Sequence, residues 1–517
     1  MKKNILLSTL CLMAITLQAT AQDSFWVRYD DRFKANGVIS LTDVDSIEVR
    51  TSSLRLYNST LPTGFKNVTT GTLIPTEAAS IVTTDPGRYL LKPSTYSSTN
   101  YLNANATTGY NFAHSLESEH YAVFWDVRYG ENPNYIKHPD NGSVANANTV
   151  LSICERCWDK YCELGFMVPG KSTTDKYKIQ LYIPYQSEWR ADASGTDGVG
   201  GGKTGIGHFN PWAATARGGH TVAHEVGHTF QYLVSADLGM SHGFNYGYGS
   251  GASGGNGWWE SCADWQAYKI FPDRQFTDGE YFEGHLPLCH LNLMHEDWRY
   301  QNCFIQDYWC MKHGQDFIGR LWRESNKPED PVEAYMRICN MTLEQFADEQ
   351  MEGFMRMATW DIDGVRDAAR HRIGQHRTYL TQVSGQANTW QSDADHCIQN
   401  FGYAIINMNV PAAGTEVKAN FEGIAGASGF RSINVDKAGW RYAFVAYTSG
   451  NRTVYGDIVR DKKGTATLTI PSGCTRLFFV VMGAPTEYWR HAWDDNASND
   501  EQWPYRVQFE NTNLLGR

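Results

Sequence analysis

Apolar and polar residues alternate in short runs from residue 22 to about 95, as in the IEVR beginning at Ile47 and the SLRLY beginning at Ser53. A period of two predicts half-buried strands, so 22–95 reads as a small strand-rich N-terminal region. From 96 to 116 the alternation gives way to Ser, Thr, Asn and Tyr, the composition of a linker. Beyond it, HYAVFWD from His120 and KIQLYIP from Lys178 predict strands, and the spacing over 147–165 predicts a helix ending near Gly165. A glycine-rich loop leads to GIGHF from Gly205, expected to be a short edge strand on which an extended substrate could add. Helical spacing then dominates from His220 to about 380, broken by the loop 241–257. Strands alternating with helices ahead of a mostly helical half predict an α+β module over 117–397. Strand-like runs return beyond about 398, starting at Tyr403, Tyr442, Thr467 and Arg476, and their spacing predicts a C-terminal β-sandwich over 398–517.

The first residues carry a different pattern. Lys2 and Lys3 precede an apolar run over 5–18, and Ala19-Thr20-Ala21 supplies small residues at −3 and −1. That order predicts a signal peptide over 1–21 and export to the periplasm, cell surface or medium. The run is too short to span a bilayer, and no later stretch reaches about 20 apolar residues, so no transmembrane segment is expected after signal removal. With 517 residues the chain is too long for one ordinary core, and about two to four domains are expected. A net charge of −11 argues against nucleic acid as a partner, because phosphate recognition needs an excess of Lys and Arg. Ten of the 11 cysteines follow the signal, too sparse for a disulfide scaffold. Cys154, Cys157 and Cys162 lie at roughly helical spacing with Leu151, Trp158 and Tyr161, which favours buried helix positions or occasional disulfides over a second metal site.

The chemistry concentrates in two helices. The first contains His224-Glu225-Val226-Gly227-His228, an HExxH. Residues i and i+4 share a helix face, so the imidazoles of His224 and His228 can reach one ion, and Zn²⁺ suits them. Glu225, one step round, can take a proton from water activated by the metal. The second helix carries WWESCADWQAY from Trp258, with Glu260 and Asp264 again at i and i+4. Glu260 would complete a His₂Glu ligand set, and Asp264 could accept the free ring N–H of a ligating histidine. Two carboxylates on a helix this rich in tryptophan are poorly explained as a solvated face.

HEVGH followed by a Glu-x-x-x-Asp helix resembles the gluzincin metallopeptidases, the thermolysin-like clan. The resemblance implies a zincin-like catalytic module, zinc held by His224, His228 and Glu260, Glu225 as catalytic base and Asp264 behind His224. The interval from His228 to Glu260 is longer than in the thermolysin-like enzymes, and Trp259 stands where they carry Asn. HExGHxxQ is also similar to the enhancin-like, mucin-targeting peptidases. More narrowly, SEHYAVFW, ELGFMVP, KYKIQLYIP, the glycine-rich loop, HEVGHTFQY and WWESCADW resemble a family of secreted zincin-like peptidases of bacteria such as Bacteroides. That match spans roughly 115–270.

The expected activity is therefore zinc-dependent peptide-bond hydrolysis, with a protein or glycoprotein substrate. His290, His295, Tyr308 and His313 are the candidates for the group that stabilises the oxyanion. Two other readings fit the same residues. One is a glycan- or protein-binding surface protein with an inactive or structural zinc site and glycan contact through the C-terminal region, suggested by the 17 Trp and 28 Tyr. The other is a zinc hydrolase of a non-peptide bond.

Overall fold

The structure, a computed structural model, describes residues 85–196, 203–246 and 255–516, and before them 24–40, 46–49, 53–57, 59, 61–69 and 79–82. The expected signal segment 1–21 lies outside the described residues. The chain divides into two compact units: the described residues up to Glu155 with Pro169–Thr215, and Arg156–Val168 with everything from Ala216 onward.

The first unit opens with two antiparallel three-stranded sheets. One joins Ser24–Tyr29 to Gly37–Ser40 and Ala79–Val82, and the other joins Ser46–Val49, Ser53–Tyr57 and Phe65–Thr69. A mixed sheet follows, built from β1 (Ser115–Glu117), β2 (Tyr121–Trp125), β3 (Ile179–Ile183), β4 (Ala191–Gly195) and β5 (Gly205–Phe209), in the order β4-β5-β3-β2-β1. Strands β2, β3 and β5 run parallel and are buried at every position, as strands covered on both faces must be. β5 is thus not the edge strand expected of GIGHF. β4 pairs antiparallel with it and takes the edge, and its sequence ADASG has no apolar alternation to announce a strand. Residues 96–116, expected as a linker, contribute Tyr101 and Tyr110 to a core with Leu90, Phe124 and Tyr182. Their polar neighbours hid two aromatic anchors.

The helix α1 (Ala147–Glu163) buries Cys154 and Cys157 completely. In the second unit α2 (His220–Leu238), α3 (Gly255–Ile270) and α4 (Gly279–His285) are followed by further helices to Arg372. The chain then builds two antiparallel sheets from β6 (Leu380–Gln382), β7 (Thr389–Ser392), β8 (Tyr403–Met408), β9 (Glu416–Gly423), β10 (Trp440–Thr448), β11 (Thr453–Tyr455), β12 (Lys463–Thr469), β13 (Cys474–Gly483) and β14 (Tyr505–Glu510). The orders are β6-β7-β14-β9-β12 and β8-β13-β10-β11. One buried cluster takes Phe421, Val507 and Phe509 from the first sheet and Tyr442, Phe444 and Phe479 from the second, the shared core of a sandwich. Phe421 stacks on Tyr442 with centroids 4.1 Å apart. The fold is therefore mixed α and β with sandwich-like sheets. Its first two C-terminal strands precede residue 398, because β6 and β7 are short and polar and merge into the end of the helical pattern.

Ion pairs, the two histidine ones buried and the two arginine ones part-buried, tie these sheets to the helical segment. Glu296 accepts from His491 at 2.8 Å, Asp500 from His295 at 3.1 Å, Asp348 from Arg441 at 2.9 Å and Glu333 from Arg490 at 2.7 Å. Removing one partner of such a pair strands the other, at about 3–5 kcal/mol for a fully buried one. A chain ending at residue 397 is therefore expected to lose its cooperative thermal transition. A sharp melt by circular dichroism, at the temperature of the full chain, would show that the helical segment stands alone.

Candidate metal centre

The approach to α2 is a left-handed turn. Arg217, Gly218 and Gly219 have φ of 50°, 65° and 96°, and for Arg217 that conformation is disfavoured by its Cβ. The turn sets the arginine against four groups. Its Nε donates to Asp278 at 2.6 Å and one terminal nitrogen to the Tyr268 hydroxyl at 2.9 Å. The other lies 4.0 Å from Asp264, and the guanidinium covers the Tyr281 ring at 3.6 Å. From this turn α2 runs past α3 at close range. A Cβ at Gly227 would stand 3.0 Å from Gln266 Oε1 and 3.4 Å from the Ala263 Cα, so the glycine inside HEVGH is what lets the two helices approach.

That approach brings His224, His228 and Glu260 together. His224 Nε2 and His228 Nε2 are 3.1 Å apart, and Glu260 Oε2 lies 3.2 Å from the first and 3.3 Å from the second. All three residues are less than 9% exposed. Four ligands held tetrahedrally at about 2.0–2.1 Å are separated by about 3.3 Å, so the triangle has the edge length a small divalent ion requires.

The far side of each ring decides which atoms face inward. His224 Nδ1 donates to Asp264 Oδ1 at 3.0 Å. His228 Nδ1 donates to Gln231 Oε1 at 2.8 Å. Gln231 is fixed in turn by its amide nitrogen, which donates to the Trp259 carbonyl and to Gln266 Oε1, each at 3.1 Å. With both Nδ1 atoms protonated, both Nε2 atoms present lone pairs, as does the Glu260 carboxylate. With the rings neutral in that tautomer, three acceptors converge on a centre that a cation, a proton or a metal ion, would fill. Such a grouping could hold a metal ion.

The electrostatics agree. Burial works against charge on His224, yet Asp264 and Glu260 outweigh it and hold the imidazole well above its ordinary pKa. Burial likewise opposes charge on His228, and Glu260 reverses the balance there too. Against its own burial, Glu260 is held far below the carboxylate range by the two imidazoles. Glu225 is buried at 5% exposure and adds to the raising of both histidines. The pocket selects positive charge.

Each of the five residues singled out from the sequence belongs to this cluster: three donors, Asp264 behind one of them and Glu225 beside them. The sequence reading missed Gln231, although its spacing of three from His228 put it on the right face. It also missed Arg217, and Tyr300, whose ring centroid lies 6.1 Å from that of His224. Tyr300 sits in an irregular segment with no pattern to mark it. The four residues proposed as oxyanion stabilisers are engaged elsewhere. His290 faces the His396 ring at 5.0 Å, His295 bonds Asp500, His313 bonds Glu349 at 2.6 Å, and Tyr308 packs under Gly353.

Residues 83–516 match the model of a family described as "Family of unknown function (DUF6055)". No curated protein matches the chain. Among solved structures it is similar to the Yersinia pseudotuberculosis-derived mitogen, with 12% identity over 23% of this chain and 82% of that one, at a TM-score of 0.15. It is also similar to a family GH115 4-O-methyl-α-glucuronidase with specificity for decorated arabinogalactans, with 8% identity over 57% of this chain and 30% of that one, at a TM-score of 0.14. Scores this low carry no argument about fold or activity. The family match takes in both the ligand cluster and the C-terminal sheets, and the chain belongs to the DUF6055 family.

Proposed function

We propose that this protein is an exported zinc-dependent metallopeptidase of the gluzincin type, acting on protein or glycoprotein substrates. One observation carries the reading. Two imidazoles with their tautomers fixed from behind, and one carboxylate, point three lone pairs at a common centre with a further buried glutamate alongside. The donor set His₂Glu suits zinc, and three protein ligands leave a fourth position for solvent or substrate.

When bound, zinc supplies Lewis acidity and acidifies water. The remaining work falls to the chain's own residues. Glu225 takes a proton from the attacking water and passes it to the leaving amine nitrogen. Asp264 and Gln231 hold the imidazole rings in the ligating orientation, and Arg217 offsets the charge buried on Asp264. Tyr300 is the ring beside His224. Burial and the Glu260 charge raise its pKa, so its hydroxyl stays protonated as a donor towards a developing oxyanion.

A glycan-binding reading draws support from another place than the C-terminal sheets, whose aromatic rings are packed inward. The exposed pair Trp189 and Trp212, at 45% and 42% exposure with centroids 5.2 Å apart, is a surface on which a sugar could stack.

Glu225→Gln is expected to retain the metal and to lose about 10²–10⁴-fold in turnover against a proteome digest analysed by mass spectrometry. Stoichiometric zinc with no cleavage of any protein or glycoprotein by the wild type would move the assignment to the binding reading. Asp264→Asn keeps the shape but loses the charge behind His224, and zinc affinity measured by competition with a chelating dye is expected to fall about 10–100-fold. Unchanged affinity would mean that the His224 orientation is set by packing alone.

A further inference from the structure

A second buried group of potential ligands lies where the helical segment meets β8. His285 ends α4, Cys289 follows four residues later, and His376 comes from the stretch between the last helical turn and β6. One ligand atom of each lies within 4.8 Å of the others, and the three residues are 1%, 6% and 5% exposed.

The ring of His285 is oriented as the rings of the first centre are. Its Nδ1 donates to the Gln301 carbonyl at 2.9 Å, which leaves Nε2 as the lone-pair nitrogen. That nitrogen accepts from the Tyr403 hydroxyl at 2.7 Å, and the same hydroxyl also engages Cys289. The decisive residue is His376. Neither of its ring nitrogens has a hydrogen-bond partner among the described residues, although the side chain is buried between Trp360 and Tyr403. An imidazole with both an N–H and a lone pair unmet in the interior needs a reason to be there.

We propose that His285, Cys289 and His376 supply three ligands to a second zinc ion, at a site distinct from the His224–His228–Glu260 centre. A thiolate with two imidazoles is a borderline-soft donor set, suited to zinc and unlike the oxygen-containing set of the first centre. In a tetrahedral site, sulfur and nitrogen ligands stand about 3.6 Å apart, so the side chains draw in by at most about 1 Å, and the Tyr403 hydroxyl gives up its bond to His285. The Cys289 proton leaves to solvent on binding. The neighbourhood is already laced together: Tyr403 N donates to the Cys289 carbonyl at 2.7 Å, and the Asn407 amide donates to the His376 carbonyl at 2.8 Å. An ion there would clamp α4 and the turn after it to the stretch before β6. The site lies wholly in the second unit and is independent of whether the first centre is catalytic.

The test uses the full chain, stripped of metal and titrated with Co²⁺, because only a thiolate ligand gives the intense sulfur-to-cobalt charge-transfer absorption. Wild type is expected to develop that band at one equivalent and to bind a second Co²⁺ without it. His224→Ala/His228→Ala should keep the band and hold one zinc as purified, while Cys289→Ser should abolish the band. His376→Ala should weaken the band-forming Co²⁺ at least tenfold. Absence of the band from wild type, or its persistence in Cys289→Ser, overturns the proposal. Should Cys289→Ser fail to fold, the wild-type titration and the zinc content of the double histidine variant decide, and no zinc in that variant counts against the site.

Discussion

Three lone pairs aimed at one point in a buried pocket are the constraint on which the candidate centre depends. Left without a cation, the acceptors of His224, His228 and Glu260 would repel at 3.1–3.3 Å, and a buried carboxylate without a partner costs several kcal/mol. A bound zinc returns about 10–16 kcal/mol in structural sites, enough to outweigh that cost and the left-handed turn at Arg217. The surrounding features follow from keeping the acceptors in place. Gly227 sets the distance between helices, Asp264 and Gln231 set the tautomers, and Arg217 keeps a second buried carboxylate from being left alone.

Legibility in the sequence follows the range of the interaction. HExxH and the Glu260–Asp264 pair could be read because a helix places residues four apart on one face, whatever surrounds it. Gln231 lies within the same rule and is the Q of HExGHxxQ, but the motif alone gives it no role; here its part is to hold a ring. Tyr300 follows no such rule, and neither does the link from His285 and Cys289, themselves four apart, to His376. Eighty-six residues lie between Cys289 and His376, and no period connects them. The strands show the same division. β2 and β3 announce themselves as buried apolar runs, whereas β4, with the sequence ADASG, exists because β5 offers it a ladder.

The aromatic content was open to two meanings, and the structure separates them by position. In the C-terminal sheets Trp440, Trp503, Phe421 and Tyr442 fill the space between layers, where rings serve packing rather than recognition. In the first unit Trp189 and Trp212 stand in solvent. Composition alone cannot distinguish a ring that is core from one that is exposed. Burial does.

The C-terminal sheets are bound to the helical segment through charge as well as apolar contact, and this bears on why they are there. An appended binding module would meet its neighbour through a polar, separable surface. Here Glu296, buried at 3% exposure, accepts from His491 and from the backbone of Asp495, while Asp330 takes the Tyr488 hydroxyl inside the N-cap of its own helix. Glu296 and His295 stand only a few residues from Tyr300, whose ring neighbours that of His224. The sheets thus hold the irregular segment that supplies the ring beside the candidate centre. A loop with no periodicity of its own keeps a fixed course because charged partners some two hundred residues further along the chain anchor it, and that dependence makes the sandwich part of the site's construction.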